Sequence, residues 1–132
     1  MEQTILYPFL ISDDNRASYL KTLKLAAKES AKVICFTAVR EELNRDKAYL
    51  HLLELNGCYQ AEINNWAPMK VAVGREIKQG NLENEMTQYL KKHSVDMIIC
   101  QEQRGIPGAA FFEELLLNQA HQPDLIQVEN ME

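Results

Sequence analysis

Two stretches of the sequence bring together side chains able to do chemistry. Asp13 and Asp14 set two carboxylates side by side that can hold a metal ion or the hydroxyls of a ribose, and Asn15 beside them is a further possible cap. The same residue types cap helices and complement the helix dipole, which is the plainer reading of a cluster placed ahead of an amphipathic run. Further along, Arg104-Gly105-Ile106-Pro107-Gly108 precedes a second such run. Its backbone N–H groups can cradle an anion with Arg104 supplying charge, although Pro107 removes one donor; the alternative is a glycine-containing turn and helix start.

The remaining reactive residue types form no recognisable machinery. His51, His93 and His121 include no H-x-x-x-H or H-E-x-x-H spacing, so no metal ligand set is expected, and His93 fits a helix C-cap. Ser12 and Ser30 lack the G-x-S-x-G elbow, and no cysteine lies in an activating motif. No catalytic residue is therefore assigned. Cys35, Cys58 and Cys100 are odd in number and widely spaced, which gives no disulfide framework, and Cys35 and Cys100 sit in apolar runs as small buried hydrophobes. Tyr59 and Trp66 lie in the least regular segment and fit packing better than an exposed recognition surface.

The elements that must position these residues alternate. Ile5–Ile11 is apolar at every position, as in a central strand covered on both faces, with Pro8 confined to its late part or a bulge. A helix from about Arg16 follows, with Ala17, Leu20, Leu23 and Ala27 as its apolar stripe and Lys21, Lys24 and Lys28 toward solvent. Val33–Val39 is a second continuous apolar run, and the helix between the runs is a crossover that makes the strands parallel. Ala48, Leu52 and Leu55 predict a helix from about Asp46 that ends or bends near Gly57, with Ile63 and Trp66 in its continuation or in a loop. Met69–Ile77 alternates as a strand nearer an edge, with Met69, Val71 and Val73 on one side. Gly80-Asn81 stops that strand and caps a helix carrying Leu82, Met86, Leu90 and His93. Met97–Cys100 is a short buried strand, Phe111, Phe112, Leu115 and Leu116 fit one helix face, and Leu125–Val128 is the last strand, with a frayed tail beyond it. The order is βαβαβαβαβ.

Length and composition agree with one domain over residues 1–132. Surface scaling gives roughly 7,000 Å² exposed when folded against about 22,000 Å² when extended, enough for one core and not two. The sequence is 46% hydrophobic and 25% charged, a globular balance, and its net charge of -5 with scattered basic residues argues against nucleic acid as a partner. Met1-Glu2-Gln3-Thr4 lacks the start of a signal peptide and no apolar run is long enough to span a bilayer, so the expectation is a cytoplasmic protein without membrane contact.

The whole run resembles the universal stress protein family. The resemblance is carried by Ile5-Leu6-Tyr7-Pro8 leading into the helix from Asn15 to Ala27, by Gly80-Asn81-Leu82 leading to His93-Ser94-Val95-Asp96-Met97-Ile98-Ile99, and by Ala120–Val128. It implies a three-layer α/β/α sandwich of the adenine nucleotide alpha hydrolase-like type, with a five-stranded mostly parallel sheet in the order 3-2-1-4-5. It also implies a cytoplasmic homodimer formed through the last strand, Leu125 to Val128, where pairing would cover an apolar edge.

Many members of that family bind ATP, and this sequence departs from their pattern. The acidic residue that faces adenine after the first strand is replaced by Leu10. The family's G-x2-G-x9-G-[S/T] loop falls on Gln101, Arg104, Glu114 and Leu115, where side chains obstruct backbone approach and Glu114 sets a carboxylate near phosphate. The resemblance thus implies a noncatalytic, dimeric stress-response protein acting through protein interactions, with no cofactor. The alternative is a nucleotide-binding sensor or slow ATP hydrolase, taking ATP with Mg²⁺ on a phosphate loop reshaped at Arg104 to Gly108. Either way the crevice beyond the strand ends is the candidate site, and Leu10, Ser12, Asp13, Gln101, Arg104, Gly105 and Gly108 would line it.

Overall fold

The computed structural model describes residues 3–66, 71–101, 103 and 105–131, with the side chains of all but 58–66. Among the described residues, five strands alternate with four helices: β1 Gln3–Pro8, α1 Arg16–Glu29, β2 Ala31–Val39, α2 Arg45–Trp66, β3 Val73–Gln79, α3 Leu82–Lys92, β4 Met97–Cys100, α4 Ala109–Leu115 and β5 Asp124–Gln127. Single 3₁₀ turns precede α2 and follow β5. The strands form one sheet in the order β3-β2-β1-β4-β5, with every pairing parallel. This is the three-layer α/β/α sandwich expected from the sequence.

The sheet divides the core in two because successive side chains on a strand point to opposite faces. Ile5, Tyr7, Val33, Cys35, Met97 and Ile99 pack toward α1 and α2. Leu6, Phe36, Ile98 and Cys100 pack toward α3 and α4, against Met86, Leu90 and Phe112. Both faces of β1 and β4 are covered, which is why these strands read as unbroken apolar runs. The edge strand β3 is only half-buried, and Arg75 from it lies 4.2 Å over the ring of Tyr49 on α2.

Several boundaries and faces differ from expectation. β1 stops at Pro8 rather than Ile11, because beyond it the backbone of Phe9 bonds to β2 only singly: its N–H donates to Phe36 O at 3.0 Å, and its carbonyl accepts from the Thr37 hydroxyl at 2.7 Å. The buried face of α1 is Ser18, Tyr19, Thr22, Leu23 and Ala26, whereas Ala17 is exposed and Leu20 and Ala27 are only half-buried. Two hydroxyls can face the core because each is bonded there: Ser18 to the Tyr7 hydroxyl at 2.7 Å, and Thr22 back to the Ser18 carbonyl at 2.8 Å. Helix α2 runs through Gly57 to Trp66 without ending there. β3 is described from Val73, and Met69 lies outside the described residues. The tail is not frayed: Val128–Asn130 forms a 3₁₀ turn and Met131 packs against the α1/α2 side of the core.

Other local signals hold. Asn81 caps α3, its side chain accepting from the Asn84 N–H, and His93 closes the helix with its N–H on the Tyr89 carbonyl and its ring 4.4 Å from that of Tyr89. No described helix is long and apolar enough to cross a membrane.

Candidate functional site

The site region is the carboxyl end of the sheet, where β1 and β4 part because their crossovers leave in opposite directions along the sheet. Two of its segments are the 9–15 turn after β1 and the stretch from residue 101 to Gly108 after β4.

Gln101 follows β4 directly. It is 2% exposed, and its Nε2 donates to the carbonyl of Pro8 at 2.9 Å, while its Oε1 is buried without a hydrogen-bond partner among the described residues. Leu10 lies in the turn after β1, against the opposite loop. Gly105 adopts φ +89°, and a Cβ built on it would lie 2.9 Å from Leu10 Cδ1, so the two loops touch. Ile106 and Pro107 behind Gly105 are buried, with Ile106 and Leu10 both packed against the α3/α4 side of the core. Leu10 and Gly105 are therefore in contact, while Gln101 bonds to the end of β1. Ser12 instead faces solvent. Gly108 stands at the N-cap of the short helix α4 with nothing within 4 Å of the position of a Cβ. Arg104 lies outside the described residues.

The acidic turn does less capping than its composition suggests. Asn15 occupies the N-cap of α1 but makes no side-chain cap bond. Its amide points inward instead, with Nδ2 donating to the carbonyls of Leu10 at 2.8 Å and Asp13 at 3.1 Å and meeting His51 Nε2 at 3.0 Å. Asp14 takes the outer role: its Oδ1 accepts from the Arg16 N–H at 3.2 Å, and Arg16 Nε and Nη2 each reach it at 3.1 Å. The Arg16 side chain and N–H beside it hold the Asp14 carboxyl below the usual carboxylate range. His51, from α2, lies with its ring 5.9 Å from Phe9 and nearly parallel to it.

His51 and Glu54 were not among the residues the sequence suggested for this region. No spacing or motif pointed to them. Nothing in the sequence named α2 as the place.

Among the described residues, no serine, threonine or cysteine side chain is hydrogen-bonded to a histidine or a carboxylate. Burial pushes the Cys35 thiol up to about 12 and the Cys100 thiol, also near Glu113 and Glu129, up to about 11, so neither is a thiolate at neutral pH. Burial likewise raises Tyr7 above the ordinary phenol range, its bond from Ser18 opposing only part of the effect. No group of three or more histidine, cysteine or acidic side chains among the described residues is placed to hold a metal ion.

No protein-family model matches the chain, and no curated protein matches it in sequence. The likeness is in three dimensions. A universal stress protein in complex with cAMP superposes with a TM-score of 0.63 at 17% identity, covering 96% of this chain and 95% of that one. The universal stress protein from Archaeoglobus fulgidus gives 0.57 at 8% identity, covering 100% and 95%. Universal stress protein UspA from Lactobacillus plantarum gives 0.52 at 16% identity, covering 95% and 96%. The fold of this chain is that of the universal stress proteins, over essentially the full length of each.

Proposed function

We propose that this chain is a divergent universal stress protein that has given up the adenine nucleotide site and acts in a stress response, without catalysis, as a dimer making protein contacts. The observation that carries this reading is the meeting of Leu10 with Gly105 above the Gln101–Pro8 hydrogen bond. A ligand lodged between the ends of β1 and β4 would have to displace apolar side chains packed against the core and break a buried hydrogen bond. One solved structure of this fold is described with cAMP and another with dAMP, and the loss proposed here would be local to the site on the same scaffold.

Two surfaces support protein contacts. β5 is an edge strand whose Leu125 and Ile126 are only half-buried, and a short apolar edge is a template for pairing with a second copy. On the 3₁₀ turn and α2, Leu43, Leu50 and Leu53 are 83%, 61% and 47% exposed, and Leu50 and Leu53 share one side of the helix.

The test is calorimetry of the purified chain with ATP and Mg²⁺, combined with sedimentation equilibrium. Absence of saturable ATP binding and a mass of two chains are expected. Micromolar ATP binding would overturn the loss of the nucleotide site, and a single-chain mass at every concentration would overturn the dimer.

A further inference from the structure

Helix α1 buries Ser18, Tyr19, Thr22, Leu23 and Ala26, which leaves Lys21, Lys24, Leu25 and Lys28 on an adjoining flank at i, i+3, i+4 and i+7. Together with Ile126 of β5 and with Asn130 and Met131 beyond it, that flank lines a groove of about 370 Å³. The apolar lining, Leu25, Ile126 and Met131, is only partly buried and packs against the α1/α2 side of the core. Lysines supply the charge, and among the described residues no carboxylate lines the groove.

Two of those charges are uncommitted. The ammonium groups of Lys21 and Lys28 make no ion pair or hydrogen bond among the described residues. Seven helical positions separate the two, about 10 Å along the axis. Like charges spread over that length are matched best by carboxylates repeated along a chain. The protein as a whole carries a net charge of -5, so the basic stripe is local, and the long polyanion of a nucleic acid is repelled by the rest of the surface. The aliphatic lining sets a second requirement, apolar side chains between the carboxylates.

We propose that the groove between α1 and the end of β5 docks an acidic amphipathic segment of a partner protein, with its carboxylates on Lys21 and Lys28 and its aliphatic side chains against Leu25, Ile126 and Met131. This names a partner chemistry for the protein contacts proposed above, and it rests on that part of the reading alone.

Fluorescence anisotropy on the full chain tests it, using a labelled alanine-based helical peptide with glutamate and leucine along one face and a second peptide with glutamine for every glutamate. Saturable binding of the acidic peptide is expected, about tenfold tighter than that of the glutamine peptide and weakening as salt is raised. Lys21→Gln with Lys28→Gln should weaken it about tenfold. Lys91→Gln with Lys92→Gln, the same loss of charge at exposed positions of α3, should leave it within about twofold. No saturable binding, equal affinity for the two peptides, or equal loss in the two lysine pairs would each overturn the proposal, the last by marking net charge and not the groove. Binding to phosphatidylglycerol vesicles that is lost with Lys21 and Lys28, without peptide binding, would assign the groove to a lipid surface and overturn it too. These readouts do not depend on ATP or on the mass of the protein in solution, so a dimer that binds no peptide would sink the groove and leave the dimer standing.

Discussion

Gln101 and Pro8, 93 positions apart in the chain, are joined by a side-chain hydrogen bond of 2.9 Å at the carboxyl end of the sheet. The last paired residues of β1 and β4 are Leu6 and Ile98, so this bond carries the contact between the two strands past the point where pairing stops. Thr37 does the same from β2, donating to Phe9 O at 2.7 Å. The end of β1 is thus held on both flanks by side chains, in the place where a doubly wound sheet ordinarily leaves an open crevice.

Replacing Gln101 by Ala removes the donor to Pro8 O and opens a small void in a closed layer. A loss of about 1–3 kcal/mol of stability is expected, read as a lower denaturation midpoint with an unchanged denaturant slope. Gln101→Glu should cost at least as much, since an ionised carboxylate offers the carbonyl no proton. ATP binding should not appear in either variant, because Leu10 still meets Gly105. Nucleotide affinity gained by Gln101→Ala alone would show that the amide, and not the apolar contact, blocks the site.

Gly105 meets Leu10 across the two loops, and its cost on substitution has two separable parts. At φ +89° an L-residue is strained by about 1–2 kcal/mol, whereas the atom that an added Cβ would meet, Leu10 Cδ1, is the end of a flexible side chain. Gly105→Ala should therefore be destabilising by about 1–2 kcal/mol chiefly through its backbone. In a double-mutant cycle, Leu10→Ala should recover only a small part of that loss. Full recovery would mean that the side-chain contact dominates.

What could be read from the sequence followed burial on two sides. Ile5-Leu6, Val33 to Val39 and Met97 to Cys100 were legible as central parallel strands because residues on both faces are buried and Thr37, the one polar residue in these runs, is bonded to the Phe9 carbonyl. The strand order came from the family resemblance and not from periodicity. The face of α1 was not legible, because Ser18 and Thr22 are turned inward by bonds to Tyr7 and to a helix carbonyl, and a hydrophobicity pattern counts hydroxyls as solvent-facing. For the candidate site, the bulk at Leu10 and Gln101 could be read locally. Their partners could not, since Gly105 and Pro8 are reached only through the topology. The inward amide of Asn15 was likewise hidden, because its partner His51 sits on a helix whose distance from the turn no spacing encodes.

Asp96 ties three strands at the opposite end of the sheet. Its Oδ2 accepts from the Thr4 N–H at 2.8 Å, its own N–H donates to Thr4 O at 2.9 Å, and its carbonyl accepts from the Asp124 N–H at 3.0 Å. Asp96→Ala keeps the two backbone bonds and removes the charge-assisted one, for an expected loss of about 1–2 kcal/mol at a partly exposed position. Asp96→Asn retains an acceptor oxygen and should restore about half of that loss. Equal destabilisation in the two variants would indicate that the charge, including its approach to His121 at 3.8 Å, matters more than the hydrogen bond.

Alkaline pH should unfold the chain through its buried thiols and phenols. Burial raises the Cys35 thiol from 9.0 to about 12, and burial with Glu113 and Glu129 raises the Cys100 thiol from 9.0 to about 11. Below pH 9 both thiols are protonated in the folded and unfolded chain alike, and they contribute no pH dependence. Above it the unfolded chain releases protons that the folded chain retains, so stability falls as pH rises, by up to about 1.4 kcal/mol per pH unit for each thiol. The slope should ease for Cys100 near pH 11 and for Cys35 near pH 12, where the folded thiols ionise too. Tyr7 and Tyr19, whose ordinary value is 10.0 and which burial also raises, steepen the decline above pH 10. Denaturation midpoints measured through this range should therefore hold level to about pH 9 and then drop, and Cys35→Ala should reduce the early slope. A midpoint that stays level to pH 11 would show that these groups are not shielded from water as the packing requires.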